Sequence, residues 1–219
     1  MDISSKLQLI FRKKLDVVHI TPEYDEMLRQ TRIIKEWKPQ SDVWPLRMGR
    51  TILISVATAS AMYINHRFRA RMKLRSHGTF ITMFGIMMGS SSATALSHSE
   101  FVLKKIILLD MYCPLCMESK AALIQTFSGL LFPMILTPLA NFSISAGSGV
   151  YNVPHITEGR KIFGTIWSIY KPLLPKIAMI FTLQAVLAGY LTYLEIRSYL
   201  HILDLQYLMK ESENYKNIM

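Results

Sequence analysis

Long stretches without Asp, Glu, Lys or Arg alternate with short charged segments along this chain. The longest runs from Lys120 to Glu158, between which 37 consecutive positions carry no formal charge. A helix needs about 20 mainly apolar residues to cross the hydrocarbon core of a bilayer. The pattern therefore predicts an all-α fold, an integral membrane helical bundle of about four transmembrane helices. The predicted spans are residues 51–65, 76–99, 121–144 and 177–194.

The first span is short and the third contains two prolines. As a helix, residues 51–65 would extend about 22 Å, less than a hydrocarbon core of about 30 Å, so Arg50 and Arg67 would have to snorkel. Pro133 and Pro138 each lack an amide donor. They predict a kinked or broken third helix whose freed carbonyls are bonded by neighbouring helices.

Polar and small residues within the spans predict how the helices meet. The second span contains the run Gly89–Ala95, in which every residue is Gly, Ser, Ala or Thr. Small residues let helices approach closely in lipid, so this run predicts a packing face. Asn141 and Gln184 are polar residues at membrane depth or its edge, and we interpret both as hydrogen-bonding links between helices.

The segment before the first span predicts a peripheral helix over residues 22–37. Thr21 suits the N-cap, Pro22 suits the first helical position, and Lys38 followed by Pro39 ends the helix. Two interpretations stay open: the helix touches a membrane surface or a partner, or it packs on the protein's own loops. The predicted organisation is a polar leader at 1–49, a transmembrane domain at 50–209 and a polar tail at 210–219.

Composition and charge narrow the class of partner. Hydrophobic residues make up 51% of the chain and charged residues 18%, which excludes a disordered protein. The net charge of +10 suits nucleic acid or an anionic membrane surface. Because no nucleic-acid-binding signature accompanies the charge, we expect a lipid bilayer as partner and no nucleic acid. The basic residues divide evenly between the two sides of the predicted spans and predict no orientation.

Five cations follow the first span in alternation with apolar residues. Cations close to a membrane surface attract anionic headgroups, so these side chains are candidates for contact with an anionic lipid such as cardiolipin. A plain topology anchor or a contact with another protein is the alternative. The five residues are Arg67, Arg69, Arg71, Lys73 and Arg75.

The two cysteines form the motif Cys113-Pro114-Leu115-Cys116. This spacing at the start of a helix can lower a thiol pKa and allow a reversible disulfide. No soluble βαβ pattern surrounds the motif, which argues against a thioredoxin-like oxidoreductase. We interpret the pair as a structural disulfide or as reduced thiols near the membrane surface. A half-site for a metal or partner thiol, and a catalytic dithiol, are the alternatives.

Nothing in the sequence indicates an active site. Neither a nucleophile elbow nor a phosphate-binding loop occurs, and the six histidines are scattered without a metal-ligand spacing. Transporters and proton pathways usually need ionisable groups inside the membrane, and the predicted spans contain no Asp, Glu, Lys or Arg. We therefore expect no enzyme, no catalytic or metal-binding residue and no cofactor.

A series of short motifs follows the cysteine pair, and none of them is diagnostic alone. The motif positions are Cys113 and Cys116, Gly129-Leu130-Leu131-Phe132-Pro133, Thr137-Pro138-Leu139-Ala140-Asn141, Val153-Pro154-His155, Trp167, Lys171-Pro172, Lys176, Leu183-Gln184 and Tyr190-Leu191. In their order and spacing the chain resembles the transmembrane protein 126 family, and the resemblance covers about residues 50–205.

The resemblance implies a multi-pass protein of the mitochondrial inner membrane that assists the assembly of respiratory complex I. Its partners would be membrane-arm subunits of complex I and other complex I assembly factors. For contact with them we expect the run Gly89–Ala95, the break at Pro133 and Pro138, and the helix at 22–37. Two alternative functions stay open: a permanent accessory subunit of a respiratory complex, and a membrane thiol oxidoreductase that uses Cys113 and Cys116.

Overall fold

The computed structural model describes residues 23–74, 76–111, 113–149 and 159–218, which form helices and no strands. The all-α prediction is confirmed. A π-helical turn interrupts the helix Thr79–Ile107 at Ser99–Leu103, and another interrupts the helix Pro114–Gly147 at Phe127–Leu131. Numbered in chain order, the six main helices of the described residues are α1 Glu23–Glu36, α2 Trp44–Met72, α3 Thr79–Ile107, α4 Pro114–Gly147, α5 Gly159–Tyr170 and α6 Leu174–Ile218.

Helices α2, α3, α4 and α6 form an up-down-up-down bundle. Arg50 at the start of α2 donates to Ser99 near the end of α3 at 3.1 Å, so these two helices are antiparallel. Asn141 towards the end of α4 donates to Asn65 towards the end of α2 at 2.7 Å, so these two run in parallel. Helix α6 returns along α2 and α4 and continues through residues 210–218, the predicted polar tail.

Three helical segments in the described residues are long and apolar enough to cross a membrane, and the predicted number of four is wrong. They are α3, α4 and the run Gly159–Lys216, which comprises α5 and α6 as far as Lys216. The predicted first span, 51–65, is the short apolar middle of the 29-residue helix α2, which has arginines towards both ends. Leu53, Ala57 and Ala61 in this middle are fully buried. Helix α2 is therefore the central helix against which the three candidate spans pack.

Two apolar clusters close the ends of the bundle. The first gathers residues from α1, the start of α2, the end of α3, the start of α4 and the later part of α6. The second gathers residues from the end of α2, from α4 and from α5. Its centre is Phe68, whose ring lies 5.5 Å from that of Tyr170 and 5.9 Å from that of Phe142. A third, smaller cluster of Leu53, Ala188 and Leu191 joins α2 to α6. Buried polar side chains lie along the interior of the bundle beside these clusters and form the candidate site.

Helix α1 packs on the bundle. Ile34 is buried in the first apolar cluster, and Met27 and Trp37 pack against the same cluster. Helix α1 therefore packs on the protein itself, but mainly on other helices and not on loops. Contact of its exposed side with a membrane surface or a partner stays a prediction. The predicted N-cap residues, Thr21 and Pro22, lie outside the described residues.

Candidate functional site

Buried polar side chains from four helices meet in the middle of the bundle. We call this set the polar seam. Burying such groups in an apolar surrounding costs free energy unless they are hydrogen-bonded, so their partners decide what the seam can do. Its members are Ser60, Asn65 and Arg69 on α2, Thr82, Ser90, Thr94 and His98 on α3, Gln125, Ser128 and Asn141 on α4, and Gln184 and Glu195 on α6.

Arg69 is a buried cation at one end of the polar seam, with 4% of its surface exposed. Its Nη1 donates to Thr82 Oγ1 at 2.8 Å and to Asn141 Oδ1 at 3.2 Å. Its Nη2 donates to the carbonyl of His77 at 2.7 Å and to Thr79 Oγ1 at 2.8 Å. The guanidinium group thus ties the end of α2 to the start of α3 and to α4. The predicted lipid contact therefore does not extend to Arg69.

The neighbouring cations of the basic run have different surroundings. Arg67, Arg71 and Lys73 are exposed, and the guanidinium carbon of Arg67 lies 5.9 Å from the centre of the Tyr63 ring. Arg75 lies outside the described residues. For the three exposed cations, contact with an anionic lipid stays a prediction.

Asn141 and Gln184 connect helices, as the sequence predicts. Asn141 Nδ2 donates to Asn65 Oδ1 at 2.7 Å and to the carbonyl of Thr137 at 2.8 Å. Gln184 Nε2 donates to Ser60 Oγ at 2.9 Å. The first amide joins α4 to α2 and the second joins α6 to α2. The interpretation of both residues as hydrogen-bonding links between helices is therefore confirmed.

The break in α4 begins with a π-helical turn that ends just before Pro133. Because Pro133 has no amide hydrogen, the carbonyl of Gly129, four residues earlier, lacks its usual partner. Gln184 Nε2 from α6 donates to this carbonyl at 3.2 Å. The prediction that neighbouring helices bond the freed carbonyls is confirmed at this position.

Pro138 frees a second carbonyl in α4, that of Met134. The hydroxyl of Tyr170, at the end of α5, donates to it at 2.9 Å. Tyr170 is itself buried in the second apolar cluster. At each of the two prolines, the freed carbonyl thus accepts a hydrogen bond from a polar side chain of another helix.

Substituting Tyr170→Phe is expected to lower the free energy of unfolding by about 1 to 2 kcal/mol, since the part-buried carbonyl of Met134 loses the hydroxyl that donates to it. The ring and its packing on Phe68 would remain. The matched control is Tyr190→Phe on α6, whose side chain is 59% exposed. An equilibrium titration with a denaturing detergent in mixed micelles measures both. Equal effects of the two substitutions would contradict the assigned role.

The small-residue run of α3 packs against α4, as a packing face should. A Cβ atom added at Gly89 would lie 3.1 Å from Leu136 Cδ2. Ser90 Oγ donates to the carbonyl of Ser128 at 3.3 Å, and Thr94 Oγ1 donates to Ser128 Oγ at 3.1 Å. The predicted packing face is confirmed, but it serves the protein's own bundle. Contact of the remaining, more exposed positions of this run with a partner stays a prediction.

The far end of the polar seam holds two ionisable side chains, His98 and Glu195. His98 Nε2 lies 3.6 Å from Glu195 Oε2, and the two residues are 2% and 0% exposed. Neither ring nitrogen and neither carboxylate oxygen has a hydrogen-bond partner among the described residues. A Cβ atom at Gly49 on α2 would lie 2.5 Å from Glu195 Oε1, so a glycine makes room for the carboxylate. The sequence placed Glu195 just beyond the last predicted span and missed this burial.

The cysteine pair begins α4 and lies outside the polar seam. Both residues are free thiols, with Cys113 half-buried and Cys116 exposed. The amide of Cys116 donates to Cys113 Sγ at 3.2 Å, which makes Cys113 the N-cap of the helix. Hydrogen bonds from the Cys116 side chain and amide lower the pKa of the Cys113 thiol. The geometry suits a thiol pair at the edge of a candidate span, and its redox role stays a prediction.

The outer surface of α3 carries a set of exposed apolar side chains, which we call the apolar face. The rings of Phe80 and Phe84 stack, with centroids 5.8 Å apart and planes at 7°. Phe80, Phe84 and Met88 recur at four-residue spacing and therefore lie on one side of the helix, and the exposed Ser92 separates them from the later members of the set. This spacing was the signal available in the sequence. The apolar face consists of Phe80, Phe84, Met88, Leu96 and Phe101.

A soluble protein keeps most of its polar side chains on the outside and its apolar side chains inside. In this bundle the polar seam lies inside and the apolar face lies outside. The seam bonds helices to one another, and the apolar face is left to pack with lipid or with other transmembrane helices. Among the described residues, no three of His, Cys, Asp and Glu lie together as metal ligands would. The arrangement is suited to holding a bundle together in a membrane while presenting an apolar side.

Comparison with known proteins agrees with this architecture. The sequence model of the family described as "Transmembrane protein 126" matches residues 29–208. A relative named "Transmembrane protein 126" from Drosophila melanogaster is 33% identical over 180 residues, covering 81% of this chain and 80% of the relative. No solved structure matches the chain. With three helices able to cross a membrane, the chain belongs to the transmembrane protein 126 family of membrane proteins.

Proposed function

We propose that this protein is a non-enzymatic assembly factor for mitochondrial respiratory complex I, located in the inner mitochondrial membrane. It binds membrane-arm assembly intermediates and works with other complex I assembly factors. The compartment and the complex come from the family resemblance. The mode of action depends on one structural observation: every member of the apolar face of α3, including the stacked pair Phe80 and Phe84, is more than half exposed.

In this mechanism the apolar face packs against a helix of a new membrane-arm subunit. Lipid tails are as apolar as leucine, so helices associate in a membrane through close packing and hydrogen bonds. The stacked rings of Phe80 and Phe84 form a rigid ridge that a partner helix can fit. The permanent neighbouring subunit later covers more of the same surface of the intermediate. It then displaces the assembly factor, because the two proteins compete for this surface and the subunit binds it more tightly.

The test is complementation of cells that lack the protein. Without it, native gel separation of mitochondrial membranes should reveal stalled membrane-arm intermediates and little mature complex I. A Phe80→Ala, Phe84→Ala variant should insert normally yet leave the intermediates stalled. The matched control is Met179→Ala, Leu183→Ala on α6, whose side chains are 70% and 58% exposed but lie outside the apolar face. The control should restore assembly.

Three results would contradict the proposal. Unchanged complex I in the deleted cells would exclude an assembly role. Stoichiometric retention of the protein in purified mature complex I would indicate a permanent accessory subunit. If a Cys113→Ser, Cys116→Ser variant restored nothing while inserting normally, the thiol pair would be essential and the oxidoreductase alternative would replace a purely structural role.

A further inference from the structure

An open cavity of about 730 Å³ lies where the start of α2, the preceding turn Gln40–Asp42 and α6 meet. Its size is within the range of sites that bind small molecules. The cavity shares no residue with the polar seam or with the apolar face of α3. Its lining includes charges of both signs, hydroxyl groups and two aromatic rings, which is unusual for a gap between packed helices.

The cavity lies beside the point at which the uncharged part of α6 ends. The uncharged run of α6 ends at Leu194, which lines the cavity, and Arg197 is the first cation beyond it. Trp44, on the opposite wall, is 42% exposed, and Tyr193 lines the same space. Trp and Tyr are enriched at the height of lipid headgroups. These positions put the cavity at the boundary between hydrocarbon and water.

Charges of both signs line the cavity: Arg197, His201 and Asp204 lie on α6, and Asp42 lies on the opposite wall. Arg197 and His201 lie on α6 four residues apart and therefore on one side of the helix. Asp42 lies across from them in the turn before α2, where its carboxylate accepts from Ser41 Oγ at 3.0 Å. Within the described part of the chain, neither Arg197 nor Asp42 forms a salt bridge. The separation leaves space for a ligand that carries both charges.

An apolar path leads from the cavity along the membrane side of α6. Val186 and Tyr190 are 65% and 59% exposed, and with Leu194 they form a row at four-residue spacing. An acyl chain attached to a headgroup in the cavity could lie along this row. A water-soluble phosphate compound would make no use of it.

We propose that this cavity binds the headgroup of a zwitterionic phospholipid. The phosphate accepts hydrogen bonds from Arg197 and His201, the ammonium group lies near Asp42, and the acyl chains follow the row from Leu194 to Val186. An anionic lipid without an ammonium group would bring no positive charge to the carboxylate of Asp42.

The test measures lipid retention by native mass spectrometry of the full-length protein in detergent. The delipidated protein is mixed with equal amounts of phosphatidylethanolamine, phosphatidylcholine and phosphatidylglycerol. The wild-type protein should retain either zwitterionic lipid over phosphatidylglycerol. Arg197→Gln should weaken retention about tenfold, as expected for loss of one charged hydrogen bond. Asp42→Asn should reduce the preference for zwitterionic lipid. Lys210→Gln, an exposed cation on α6 outside the cavity, should change neither.

Three outcomes would overturn the inference. The first is equal retention of phosphatidylglycerol by the wild-type protein. The second is equal effects of Arg197→Gln and Lys210→Gln. The third is displacement of the lipid by glycerophosphoethanolamine at similar concentration, which would assign the cavity to a soluble phosphate ester. Far-ultraviolet circular dichroism and the thermal midpoint of each variant, compared with the wild type, establish that the proteins compared are folded.

Discussion

Substituting Arg69→Leu is expected to destabilise the protein by about 3 kcal/mol or more, because hydrogen bonds to a charged group are lost and their buried acceptors remain unpaired. The side chain reaches Thr82 on α3 and Asn141 on α4 from its place near the end of α2. Removing it should loosen three helices together. The free energy of unfolding, from denaturing-detergent titration in mixed micelles, measures the loss.

Two further variants separate geometry from charge. Arg69→Lys keeps the cation but not the planar, forked donor, so it should recover only part of the lost stability. Arg71→Leu removes an exposed cation two residues away and should change the free energy of unfolding by no more than about 0.5 kcal/mol. If Arg69→Leu were as mild as Arg71→Leu, Arg69 would not be the tie between helices described above.

Features that depend on local composition could be predicted from the sequence. The missing amide hydrogens of Pro133 and Pro138 are covalent facts, and a freed carbonyl in an apolar surrounding requires a donor. The structure supplies these donors from Gln184 and Tyr170. Gln184 could be expected to join helices because an amide at membrane depth has few other partners. The identity of its acceptor could not be predicted, because it depends on which helices are neighbours.

Features that depend on which side of a helix faces inward could not be predicted. Charge spacing marked Arg69 as one of five similar cations, yet Arg69 is buried while Arg67 and Arg71 are exposed. Likewise, the uncharged stretch at 51–65 looked like a short membrane span, although it is the middle of the central helix. A count of apolar residues along the chain does not show which side of a helix faces the interior of the bundle.

The polar seam explains why a helix as short in apolar length as α2 can occupy the centre. Its arginines lie towards the two ends, where Arg50 bonds to Ser99 and Arg69 bonds to α3 and α4. Small residues between them let the surrounding helices come close. The three outer segments then provide the apolar surface that meets the lipid, and α2 provides the polar groups that hold them in register.

Substituting Gly49→Ala is expected to destabilise the protein by about 1 to 3 kcal/mol, because the new Cβ atom would overpack a filled site. That atom would lie 2.5 Å from Glu195 Oε1, and the buried carboxylate has little room to move. Alanine otherwise favours a helix over glycine by about 0.5 to 1 kcal/mol, so the loss would appear against the intrinsic preference. Gly189→Ala on α6, where a Cβ atom would meet nothing within 4 Å, should instead stabilise the protein.

A double-mutant cycle with Glu195→Ala tests whether the cost comes from this contact. With the carboxylate removed, the alanine at position 49 should no longer overpack, so the two substitutions should couple by about 1 to 2 kcal/mol. Combining Glu195→Ala with Gly189→Ala should give additive effects, because a Cβ atom at Gly189 meets no atom of Glu195 within 4 Å. Additive effects in the Gly49 cycle would mean that Glu195 does not occupy the space left by the glycine. Strong coupling would establish that α2 and α6 are fitted to each other at a buried acidic side chain.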